Sequence, residues 1–239
     1  IGTTICSQNN LKLSRITEYS QITDFNSPTA ADPRPTPQVD NDRKKAINLN
    51  VGADVSKRNL TWQTKSSVAG KVQYAEKDGD TFPAEYFEAQ AVSEPAVNNS
   101  GYYVNKATIE NLKPDTEYVY RLVNENISEF YSFKTDKAGD FSFLLAGDPQ
   151  VGSSGFDLQI WENSLSKITQ QFPQSNLLVT AGDHAEKGKF EQFEIYFAPL
   201  KMKSLTNATT VGKKKKKTSA YSEQFNNPNT KTDGTVYGE

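Results

Sequence analysis

The chain has 239 residues, 23% of them charged and 35% hydrophobic, with a formal net charge of -2. That balance suits a soluble, core-forming protein and gives no electrostatic case for nucleic acid or an acidic membrane surface. A single cysteine, Cys6, excludes an internal disulfide and a cysteine-based zinc site, and no apolar run nears the roughly 20 residues a membrane helix needs.

Residues 1–45 read as an arm or linker. Ser27–Pro37 is proline-rich and extended, and no helix runs through it. The first residue is Ile, which reads as a processed or excised chain from which any signal peptide has already gone. From Ala46 the texture changes to short β-favouring runs: Ile47–Val51, Leu60–Thr64, Lys71–Tyr74, Tyr102–Ile109, Glu117–Leu122 and Glu129–Phe133. Several alternate apolar with polar residues, and turn residues separate them at the intervals of a β-sandwich. Trp62 is expected in its core. The segment Leu112–Arg121 resembles the tyrosine-corner segment of fibronectin type III domains, which gives Tyr118 the job of tying its strand to the preceding corner. The polar stretch Lys134–Asp140 then reads as a connector.

Two apolar runs beyond it each end in Gly-Asp. Phe141–Ala146 leads to Gly147-Asp148-Pro149-Gln150, and Asn176–Ala181 leads to Gly182-Asp183-His184-Ala185-Glu186. Between them Leu158, Trp161, Leu165, Ile168 and Phe172 recur at helical spacing. Strand, helix, strand predicts a right-handed crossover and a parallel pair, with both aspartates just past the carboxyl ends of neighbouring strands. Gly-Asp also makes ordinary turns. Two carboxylates converging on one crevice, however, repel unless a cation lies between them, so a metal site is the natural inference. Phe190, Phe193, Phe197 and Leu200 predict a second amphipathic helix packed on the sheet, and Asn207–Val211 a third strand ending at Gly212.

These motifs resemble the calcineurin-like metallophosphoesterases, and among them the bacterial relatives of purple acid phosphatases. A β-sandwich followed by Gly-Asp strands is also the order of that group. The resemblance implies residues 1–45 as an arm, 46–136 as a fibronectin type III-like sandwich and 137–239 as the first half of an α/β metallophosphoesterase domain. It makes Asp148 a ligand of one metal, Asp183 the carboxylate bridging two, and Gln150 a neutral stand-in for the family's histidine. Glu186 stands where purple enzymes carry a ligating tyrosine, so no tyrosinate–iron colour is expected. His184, at a variable position, is a candidate for a supporting or substrate-facing role. The implied cofactor is a dinuclear centre of iron, manganese or zinc. The implied reaction is hydrolysis of a phosphate ester by a hydroxide activated between the two metals, and the implied location is extracellular or cell-surface.

The pattern breaks after Gly212. Lys213 and Lys214 occupy the positions of the family's Asn and His ligands and open a run of five lysines, none of which has a lone pair for a metal at neutral pH. Three readings stay open: an engineered or artefactual run, a solvated loop on a degenerate relative, or a phosphate- or nucleic-acid-binding patch. The only histidine is His184, and the family draws further histidines from later motifs. The chain thus reads as a catalytic domain's first half, of little or no activity alone. Its half-sheet would expose an edge that calls for a complementing chain. The alternative is a non-catalytic β-sandwich interaction module carrying a degenerate phosphatase half.

Overall fold

The computed structural model describes residues 3–6, 14–15, 42–137, 139, 141–209 and 219–228. The run of lysines, with Lys213 and Lys214, lies outside them. Two short strands come first, β1 (Thr3–Cys6) and β2 (Ser14–Arg15). Next are β3 (Lys45–Val51), β4 (Arg58–Thr64), β5 (Lys71–Glu76), β6 (Phe87–Gln90), β7 (Val92–Pro95), β8 (Tyr103–Ile109), β9 (Glu117–Val123) and β10 (Ile127–Lys134). Strands β3, β4, β8 and β7 face a second sheet ordered β10-β9-β5-β6. Alternation drives the closure: Tyr118, Tyr120 and Leu122 of β9 point into the core with Leu60, Trp62 and Ile109 opposite. The pair β6–β7 was not anticipated from sequence, because its side chains are mostly exposed and carry little apolar pattern.

Two polar devices fix the sandwich. The Tyr118 hydroxyl accepts the backbone N–H of Lys113 at 2.9 Å, tying β9 to the turn before it. The Trp62 indole N–H donates to Asn124 Oδ1 at 2.9 Å, and the Asn124 amide donates to Val68 O at 2.8 Å. Gly70 passes so close to the indole that an added Cβ would lie 2.4 Å from Trp62 Cζ2. Only glycine fits there.

The rest of the chain alternates: β11 (Phe143–Ala146), α1 (Asp157–Gln171), β12 (Leu177–Thr180), α2 (Phe190–Phe197), α3 (Lys201–Ser204), β13 (Thr206–Thr209) and α4 (Ser219–Gln224). Strands β11, β12 and β13 are parallel and in register, Phe143 opposite Leu177 and Leu177 opposite Thr206. On α1, Trp161, Leu165 and Ile168 are buried, but Leu158 is 39% exposed. Leu200 is 67% exposed: α2 ends at Phe197, and Pro199 turns the chain into α3. Both leucines therefore lie off the packed faces that their spacing predicts. Among the described residues no helix is long and apolar enough to cross a membrane.

The sandwich and the α/β part are not beads on a string. β13 pairs in parallel with β3 through Asn207 and Asn50, so one nine-stranded sheet runs β2-β1-β11-β12-β13-β3-β4-β8-β7. The join is polar. Asn207 Nδ2 donates to Asn48 Oδ1 at 3.0 Å, and Asn48 Nδ2 donates to Asn50 Oδ1 at 2.7 Å, all three side chains being buried. At the far side β1 runs antiparallel to β11, Thr3 opposite Ala146 through Cys6 opposite Phe143, so that edge carries a strand of the same chain.

Candidate metal-binding loops

Beyond β11 and β12 the two Gly-Asp loops stay laced together. Ala181 N–H donates to Ala146 O at 3.0 Å, Gln150 N–H to Asp183 O at 2.8 Å and Val151 N–H to His184 O at 3.1 Å. Glu186 N–H returns to Val151 O at 3.0 Å, and Val151 and Ala185 form an isolated parallel bridge. Parallel pairing thus resumes past the aspartates and brings Asp148, Gln150 and Asp183 to one rim. The backbone between is strained. Asp148, Gln150 and Asp183 adopt φ of 46°, 40° and 45°, in the left-handed region that L-residues avoid. Half of the non-glycine residues with positive φ among those described lie in these two loops. Strain concentrated so locally points to a site rather than to the needs of packing.

The side chains differ in setting. Asp183 Oδ1 is buried and has no hydrogen-bond partner among the described residues. A sealed carboxylate oxygen without a donor is costly, and a cation is the group that would satisfy it. Asp148, Gln150 and Glu186 are exposed. Two carboxylates and an amide oxygen fit one face of a hard or borderline cation. They do not build a dinuclear centre: among the described residues no three His, Cys, Asp or Glu side chains gather to hold a metal ion.

His184 is turned the other way. It is 3% exposed, its Nε2 lies 2.7 Å from Thr180 Oγ1 and within hydrogen-bond distance of Thr209 Oγ1. Its ring packs edge-on to Tyr196 at 5.2 Å and against Phe225 at 5.1 Å. The imidazole therefore bridges the ends of β12 and β13 inside the core, and it does not face the rim.

Two residues that the sequence reading passed over hold the loops in place. Asp157 opens α1, and its Oδ2 accepts the N–H groups of Gly152, Ser153 and Ser154 at 2.7–2.8 Å, while Ser154 Oγ donates to Oδ1 at 2.7 Å. Burial alone would raise this carboxyl's pKa, but the donors from Ser154 and Ser153 outweigh it and hold it down to about 2. Gln192 reaches from α2 to both loops. Its Nε2 donates to Gly152 O at 3.0 Å, and its Oε1 accepts from Lys187 N at 2.8 Å and Lys189 N at 3.3 Å. Gly152, at φ 93°, leaves room for it, since an added Cβ would meet Gln192 Cγ at 2.5 Å. Sequence signals existed: serines just before an acidic first turn for Asp157, and a glutamine three residues past a helix start for Gln192.

Past the lysines, α4 rivets the two halves. The Glu223 carboxylate accepts the backbone N–H groups of Val97 and Asn98, and Lys106 Nζ donates to Ser222 O at 2.6 Å. Its other face sends Tyr221, and just beyond it Phe225, into the core beside His184.

Residues 45–135 match the family model of the purple acid phosphatase N-terminal domain. No curated protein matches the chain. Among solved structures, purple acid phosphatase PPD1 from yellow lupin (Lupinus luteus) seeds is similar over 78% of this chain at 16% identity, with a TM-score of 0.64. The chain spans 41% of the lupin protein's length, and at this identity the likeness shows a shared fold. The sensor domain of the anti-sigma factor RsgI4 from Pseudobacteroides cellulosolvens is 20% identical over 41% of this chain and 94% of its own. Its TM-score of 0.30 carries no argument.

Proposed function

We propose that this chain carries the sandwich and the first two ligand-bearing loops of a metallophosphoesterase related to purple acid phosphatases, acting on a phosphate ester. The observation that carries the reading is the paired rim: Asp148 and Asp183 just past the ends of adjacent parallel strands, both left-handed, with Asp183 Oδ1 buried and without a partner among the described residues. The family match of the sandwich and the fold shared with the lupin phosphatase support it.

In this reading Asp183 and Asp148 hold a divalent or trivalent cation (iron, manganese or zinc), and the Gln150 amide oxygen gives a neutral third donor. Such a cation, when bound, polarises phosphoryl oxygen and lowers the pKa of bound water. The protein's own part is positional. Asp157 and Gln192 fix the two loops, Gln150 N–H pins one to the other, and Glu186 stands exposed at the rim where an incoming ester would pass. His184 stabilises the strand ends from within. A second metal needs donors from outside the described residues, and the lysines at 213–217 cannot supply them at neutral pH, so another chain would have to. An extracellular or cell-surface location belongs to the same proposal.

One observation favours a second reading, a binding module with a degenerate phosphatase half: the only histidine is consumed by the core. Calorimetric titration of the chelator-treated protein with Mn²⁺ and Zn²⁺, alongside p-nitrophenyl phosphate turnover, separates the two. The phosphoesterase reading expects saturable binding that Asp183→Asn abolishes, and turnover if the remaining donors are supplied. Wild-type protein that binds no metal would leave the interaction module.

A further inference from the structure

At the opposite end of the parallel strands from the two aspartates, the sandwich loops close over the starts of β11, β12 and β13 and leave a cavity of about 590 Å³. Its walls are largely apolar, with Val51, Leu112, Pro114, Phe141 and Leu177 among them. The volume and lining are those of a small-molecule site, and domain junctions are where such sites concentrate.

One polar group defines the chemistry. Arg58 lines the cavity and is 6% exposed. Its Nε donates to Thr206 Oγ1 at 3.0 Å, and its Nη1 to Val55 O at 3.2 Å and Lys57 O at 2.8 Å. These bonds leave Nη2 with no partner, and no carboxylate pairs with the guanidinium among the described residues. Two acidic residues line the same cavity, but each carboxylate is engaged elsewhere. Asp54 accepts the N–H and hydroxyl of Ser56 at 2.9 and 2.6 Å, and Asp136 accepts Asn176 Nδ2 at 3.4 Å. They act on the charge of Arg58 from a distance without neutralising the guanidinium in contact, and Lys137 pairs with Asp115 at 3.8 Å. A guanidinium with an accessible Nη2 that has no protein partner among the described residues, at the wall of a largely apolar cavity, is a ready donor for an anion.

We propose that this cavity binds a small organic carboxylate with an apolar body, its carboxylate accepting from Arg58 and its body filling the space between Leu112 and Leu177. The site is independent of the metal reading and can be tested on chelator-treated protein. The probes are 3-phenylpropionate and its neutral amide, read by calorimetry and by thermal shift. The acid is expected to bind at least about tenfold more tightly than the amide, the charge-assisted bond being the difference. Arg58→Met is expected to bring the acid down to the amide's affinity, and Leu177→Trp, which plugs the cavity, to abolish binding of both. Should Arg58→Met fail to fold, the acid–amide comparison on the wild type and the plugging variant still decide. Equal affinity for acid and amide, no binding of either in the millimolar range, or binding untouched by Leu177→Trp would each overturn the proposal.

Discussion

Replacing Asp157 with Asn tests how the first Gly-Asp loop is held. The carboxylate accepts five hydrogen bonds, three from backbone N–H groups and two from serine hydroxyls. An aspartate whose pKa falls from 3.8 to about 2 on folding gains about 2.4 kcal/mol at neutral pH. The Asn side-chain oxygen keeps some of these donors, so the expected cost of Asp157→Asn is about 1–2 kcal/mol. The pH dependence has a definite sign. Because the folded pKa is depressed, the stabilisation is complete above the unfolded value of 3.8 and is lost as pH falls through about 2. Urea denaturation of wild type and variant should show the full gap at pH 7 and at pH 5, and near convergence at the acid end. A gap that stays constant from neutral pH to the acid end would refute the reasoning, since the cost would then have nothing to do with the charge.

Gln192→Leu strips partners from Gly152 O and Lys187 N and is expected to cost about 1–3 kcal/mol. Hydrogen exchange should also speed up at the Gln150 and Val151 amides more than at β12, and uniform exchange would rule out a clamp. In chelator, Asp183→Asn is expected to be no less stable than wild type by thermal melting, because it removes a carboxylate one of whose oxygens is buried without a partner among the described residues; a large loss would show that the carboxylate already has a partner. Gly70→Ala is expected to destabilise by about 1–3 kcal/mol through overpacking against Trp62, and in Trp62→Phe the same change should cost less, read as non-additivity in a double-mutant cycle.

Much of the fold was written in apolar period. Six of the sandwich strands are announced by β-branched and aromatic runs such as Glu117–Leu122, and Gly-Asp at the end of Asn176–Ala181 marks the turn where Asp183 comes to the rim. Period says nothing about what continues a sheet, so the join of β13 to β3 was illegible: Asn48 and Asn50 read only as the polar positions of one predicted strand and Asn207 as the start of another, when together they are a hydrogen-bonded seam. Leu158 and Leu200 were misplaced because spacing gives a face but not where the partner surface ends. His184 follows Asp183 directly, which suggested the rim. Its two threonine partners, Thr180 and Thr209, come from different strands, and only the fold brings them together.

The join between β3 and β13 also sets a timetable for synthesis. Asn50 and Asn207 are 157 residues apart, so the β3 edge has emerged from the ribosome long before its neighbour exists. Contacts of such separation form late and slowly. Meanwhile the nascent sandwich displays an open strand, which is the ordinary route to misassembly with another chain. The asparagines make that edge a poor template for an apolar stranger, because a wrong strand would bury their amides without partners. The matching partners arrive late: Asn207 Nδ2 donates to Asn48 Oδ1, Asn226 N–H donates to Asn50 Oδ1, and Gln224 O accepts from Asn48. The seam that fastens the finished sheet is, during its making, the guard on the unfinished one.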